Sequence, residues 1–225
     1  MKYRFLIIII TLLALYSKIN AQDTSKSING VVVSKYMIED IQKLTGKPAL
    51  NLKFYYWQDS FVDAFSYGYY DTVSHGIYFK GINEKLANKI FNMYYHPCIG
   101  KGNYIYMTHY NFDSALGAFY DIAIIKAADQ YEAIKMVATA GINYDIKTKD
   151  IIEKIRKWDA EVGLLISVID YNRIGGSIQT KPKDLKKLTK EISEFCPDVI
   201  DKGYGSLKKM RKDYKERQYF WLWWE

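Results

Sequence analysis

Apolar residues recur along the chain at two spacings, every second position and every third or fourth, which predicts short strands interleaved with amphipathic helices. Gln22–Asn29 is polar and aperiodic and reads as a linker. Val31–Val33 follows as a strand, and Ser34 can cap a helix whose Met37, Ile38, Ile41 and Leu44 share one face up to the stop at Gly46. Leu50–Trp57 reads as a strand. Phe61–Tyr70 is aromatic without a clear period and reads as a loop, with a strand as the alternative. Gly76–Lys80 is a further strand, and Asn83 caps a helix with Leu86, Ala87, Ile90, Phe91 and Tyr94 on one face, which Pro97 should end. Asn103–His109 alternates, with Tyr104, Tyr106 and Thr108 facing one way and Ile105, Met107 and His109 the other.

Asn111–Gly117 is the expected seam between an N-terminal α+β region, 22–115, and a C-terminal α+β domain, 116–225. Beyond it the pattern is cleaner. Phe119–Lys126 is a strand, and Asp129 with Glu132 forms a capping box for a helix that Gly141 ends. A helix over Thr148–Glu161 presents Ile151, Ile152, Ile155 and Trp158 together. Gly163–Asp170 and Arg173–Gln179 predict a hairpin across Tyr171-Asn172. Pro182 opens a helix over Lys183–Phe195, Ser206 caps another to Lys215, and the chain closes on an aromatic strand. The class is therefore α+β, a mixed or antiparallel sheet with helices packed on it. The order of elements in the second half is compatible with a ferredoxin-like split βαβ unit.

Residues 1–21 change the picture of location. Lys2 and Arg4 precede an apolar run from Phe5 to Tyr16, and Ala21 supplies a small residue before Gln22, the pattern of a signal peptide. The run is short for a membrane span, so a soluble exported protein, periplasmic or secreted, is expected, without a stable membrane anchor after cleavage. The chain carries 32 basic and 25 acidic residues; losing Lys2, Arg4 and Lys18 leaves 29 against 25, an excess of +4. That excess is weak. Lys183, Lys186, Lys187 and Lys190 fall on the wet side of the helix formed around Leu185, Leu188 and Ile192, so no nucleic-acid partner is expected. Cys98 and Cys196 permit one disulfide in an oxidising compartment, but Cys196 at the end of an amphipathic helix reads more readily as a buried core thiol.

Three of the five tryptophans lie in the last five positions, which predicts that the closing strand is laid into the core. The same stretch carries a resemblance. Phe195-Cys196-Pro197-Asp198-Val199, then Asp201-x-Gly203-x-Gly205, then a short helix and a strand closing on Trp223-Trp224, is similar to the C-terminal signature of the uncharacterised bacterial DUF4253 domain. Ala140-Gly141-Ile142-Asn143-Tyr144-Asp145, followed by Thr148, Asp150-Ile151-Ile152 and Trp158, resembles an upstream block of that family. The resemblance spans about 116–225. It departs at Glu225, where members usually have Asp, and at Lys202, where they usually have Gln. The family has no established activity, so the resemblance implies a fold boundary and no chemistry.

No motif supplies a cofactor site, a nucleophile elbow or a phosphate-binding loop. His75, His96 and His109 lack the helical spacing of metal ligands, so no metal is expected. The remaining constellation is Asp198, Asp201, Gly203, Gly205 and Trp224: two acids that suit the first turn of a helix after Pro197, or, with the glycine N–H groups, a small binding concavity. The leading expectation is a binding or interaction protein without catalytic activity, its ligand an unknown protein or small molecule. The alternatives are a hydrolase using Asp198 or Asp201 with a histidine, and a carbohydrate-binding module with a platform of Tyr104, Tyr106 and Tyr69.

Overall fold

The computed structural model describes residues 25–56 and 69–225, with side chains described for 27–52 and 76–225. The expected signal segment, residues 61–68 and the side chains of Tyr69 and His75 lie outside these. The elements run β1 Ser25–Ile28, β2 Val31–Ser34, α1 Lys35–Thr45, β3 Leu50–Tyr56, β4 Tyr69–Asn83, α2 Glu84–Ile99, β5 Tyr104–Asp113 and β6 Gly117–Ile125. They continue with α3 Gln130–Val137, a 3-10 turn Ile142–Tyr144, α4 Thr148–Val162, β7 Leu164–Asp170, β8 Arg173–Ile178, α5 Leu185–Phe195, a π-helix Val199–Tyr204, α6 Leu207–Arg217 and β9 Tyr219–Trp223.

Seven strands form one mixed sheet in the order β3-β4-β6-β5-β7-β8-β9, with β5 and β7 parallel and the other neighbours antiparallel. Each face buries its own core. Tyr104, Tyr106, Ala123, Ile125 and Ile174 pack under α3–α6 against residues such as Trp158, Leu188 and Met210. Ile105, Met107, Ile122, Ile124 and Val168 pack under α1, α2 and the small β1–β2 hairpin. Alternation along each strand feeds both layers, which is why the central strands are apolar at nearly every position.

Several expectations change. Part of the presumed linker is β1, which pairs with β2 across Asn29 and Gly30 at φ 47° and 78°. Asn-Gly is the turn that matches strand twist, and it decides the hairpin despite the polar sequence. Helix α2 runs through Pro97, whose missing N–H removes one bond in the last turn only; Gly100 N–H then closes on the His96 carbonyl at 3.0 Å. Helix α3 stops earlier than Gly141, at Ala138 in a left-handed conformation. The seam at Asn111–Gly117 falls in the hairpin joining β5 and β6, so one sheet runs through both halves. Nor is the second half a split βαβ unit, because β9 pairs with β8 at the sheet edge instead of returning beside β6. Among the described residues no helix is long and apolar enough to cross a membrane.

Candidate functional site

The tip of the closing strand is held by a buried carboxylate. Asp198, 2% exposed, accepts from the Tyr144 hydroxyl at 2.8 Å and from the Glu225 N–H at 2.9 Å, with the Lys202 ammonium 3.5 Å away. Burial pushes the Asp198 carboxyl up, but the Glu225 N–H, the Tyr144 hydroxyl and the Lys202 charge outweigh it, and its pKa is lowered. Lys202 also pairs with Glu225 at 2.9 Å. Asn172 brackets the strand end, donating to the Trp224 carbonyl at 2.7 Å and accepting the Trp224 N–H at 3.0 Å. Asn143 donates to the Glu225 carbonyl.

These contacts make the constellation a latch. Trp224 is buried, edge-on to Phe195, and lies over Gly141, where an added Cβ would come within 2.8 Å of its ring; its indole N–H has no partner. Asp201 is exposed, near enough to Tyr144 for its charge to be felt there. The Gly205 N–H is already given to the Ile200 carbonyl at 2.8 Å, closing the π-helix, so the two glycines do not offer a pair of free donors. Of the five expected residues the structure brings Asp198 and Trp224 to one buried point and leaves Asp201, Gly203 and Gly205 on the surface.

The other candidates separate as well. Tyr104 and Tyr106 are fully buried, Tyr104 donating to the Ile166 carbonyl at 2.5 Å, so they are core and not a platform. Cys98 and Cys196 are free and belong to the two different cores; burial pushes each thiol up to about 12. Among the described residues no group of three or more His, Cys, Asp or Glu could hold a metal ion. His96 is exposed at the end of α2, and His109 pairs with Asp121 at 2.9 Å, not with Asp198 or Asp201.

What composition alone did not locate is an aromatic groove of about 840 Å³ beside the start of α2. Its wall is built by strand alternation. Phe220, Leu222 and Trp224 face the α5–α6 core, which turns Tyr219, Trp221 and Trp223 to the opposite side, where Tyr110 and Phe112 from β5 join them. Gly175 leaves room for Trp221, since a Cβ there would meet its ring at 2.5 Å. Arg173 stacks at 4.7 Å from the Tyr110 ring centre and 5.5 Å from those of Trp221 and Trp223, and its buried Nε–H is unpaired. Glu84, Asn88 and Arg217 supply polar groups along the groove. The strict alternation of Trp221 and Trp223 with Leu222, opposite Arg173 and Gly175, was the available signal; the contribution of Tyr110 and Phe112 needed the tertiary pairing.

Residues 121–225 match the family model described as Domain of unknown function (DUF4253), the family the motifs resemble. No curated protein and no solved structure matches the chain.

Proposed function

We propose that this DUF4253-bearing chain is a binding protein whose ligand surface is the aromatic groove, and that its ligand is a sugar. The observation that carries the reading is the wall of Tyr110, Trp221 and Trp223, ordered by the Arg173 guanidinium, with Glu84, Asn88 and Arg217 alongside. Aromatic faces bury the apolar face of a pyranose, while carboxylate, amide and guanidinium groups take its hydroxyls. Phe112 is 62% exposed and Tyr110 37%, apolar surface that a bound ring would cover. The basic and apolar start of the chain supports export with cleavage after Ala21, which would put the groove among extracellular glycans; N-terminal sequencing of the mature chain reads this directly.

Titrating the full chain with a panel of soluble oligosaccharides, followed by tryptophan fluorescence, tests the proposal. At least one sugar should quench saturably, and Trp223→Ala or Tyr110→Ala should weaken it about tenfold, the scale of one lost ring contact. A panel without saturable quenching, or unchanged affinity in both folded variants, refutes the assignment.

A further inference from the structure

Opposite the aromatic groove, on the other face of the β5–β6 hairpin, two irregularities converge on one carboxylate. Strand β6 carries Asp121, and both strands paired with it bulge beside this residue: β4 between Phe79 and Ile82, β5 between Thr108 and Asn111. Bulges re-aim side chains and gather next to active sites. The first turns the Gly81 N–H onto Asp121 Oδ1 at 2.7 Å. In the second, His109 takes φ 49°, a left-handed conformation that such a bulge ordinarily gives to glycine. Plain alternation would leave His109 on the face of Ile105 and Met107. The bulge swings it instead to the side of Thr108 and Asp121, which are register partners, and its Nδ1 lies 2.9 Å from Asp121 Oδ2.

We propose that His109 is the general base of a hydrolytic site for small carboxylic esters, with Asp121 as its positioning residue. Asp121 is 5% exposed and both its oxygens are engaged, so it holds the ring in one orientation with Nδ1–H donated and the Nε2 lone pair left for chemistry. The His109 side chain is 46% exposed and borders a pocket of about 670 Å³. Lys80, from the first bulge, and Asn111, just after the second, line the same pocket as donors for a developing oxyanion, and Leu116 and Phe119 supply apolar wall for an acyl chain. Tyr78 sets its ring edge against the imidazole, with centres 6.5 Å apart at 89°.

In the step, Nε2 takes a proton from water as the water oxygen bonds to the ester carbonyl carbon and the carbonyl electrons move to oxygen beside Lys80 and Asn111. Collapse re-forms the carbonyl, breaks the bond to the leaving oxygen and returns the proton from Nε2 to it, giving acid and alcohol with no other reactant. The groups facing the imidazole are Asp121 from β6, Asp170 from β7, Lys80 from β4 and Asp113 from its own strand. The Asp121 hydrogen bond leads in raising the His109 pKa, burial and Lys80 oppose it, and the net direction is up.

p-Nitrophenyl butyrate hydrolysis by the full chain tests the site. The folded chain should exceed the same chain unfolded in urea, its rate rising with pH through one titration. His109→Gln should lose on the order of 10²-fold, the usual share of a general base, while His96→Gln, on the exposed end of α2, leaves the rate unchanged. Asp121→Asn should slow turnover and move the inflection to lower pH, because the partner that raises the His109 pKa has lost its charge; a merely structural aspartate would not move it. His109→Gln that is folded by circular dichroism and as active as the wild type overturns the proposal. So does a folded chain no faster than the unfolded one. The groove's sugar affinity is read separately, so either assignment can fail alone.

Discussion

Asp198 looked like a surface acid because aspartate after proline commonly caps a helix in water. In the fold it is the inward post of a latch, and a buried carboxylate must be answered by donors. Asp198→Asn removes the charge that Tyr144, Lys202 and the Glu225 N–H were arranged around, and should cost about 1–3 kcal/mol in a urea melt. The pH sign follows from the lowered pKa. A carboxyl depressed in the fold stabilises above its unfolded value, 3.8 here, and loses that contribution as pH falls through the lower folded value. Wild-type stability should therefore drop more steeply below about pH 4 than that of Asp198→Asn; parallel curves would mean that the latch carries no net electrostatic stabilisation.

The closing strand shows the same division at the scale of an element. Its sequence places an aromatic or leucine at every position, consistent with burial on both faces, yet β9 is an edge strand paired with β8 alone. Leu222 is fully buried under α5 and α6, whereas Trp221 is half-buried at the groove. Leu222→Ala should cost about 2–5 kcal/mol, a cavity in a packed layer. Trp221→Ala should cost on the order of 1 kcal/mol, because part of its area is already in water. Equal losses, measured as denaturant midpoints at constant slope, would place both faces in the core.

One sheet carries two cores, and β4, β5 and β6 contribute side chains to both. Neither core can be dissolved without exposing the back of the strands that build the other, so the molecule should unfold in one step. Four of the five tryptophans, Trp158, Trp221, Trp223 and Trp224, lie within residues 121–225, so fluorescence reports mainly on that part, while helix and strand are spread through both halves. Tryptophan fluorescence and far-ultraviolet circular dichroism should give coincident urea transitions. A fluorescence transition displaced from the dichroic one would show that 121–225 unfolds as a unit of its own.

Periodicity was sufficient for what depends on near neighbours. The amphipathic faces of α1, α4 and α5, the β7–β8 hairpin and the α+β class follow from spacing and turn chemistry that act within a few residues, and so does the DUF4253 resemblance, written in contiguous motifs. Even Asn29-Gly30 was a legible turn that polarity obscured. Strand order, the edge position of β9, the burial of Asp198, the meeting of Tyr110 with Arg173, and the turning of His109 onto Asp121 were decided elsewhere. Each depends on which distant strand lies alongside and on a bulge that shifts side chains between faces. A single-residue shift exchanges core for surface while the local pattern stays the same, so only the tertiary structure could choose.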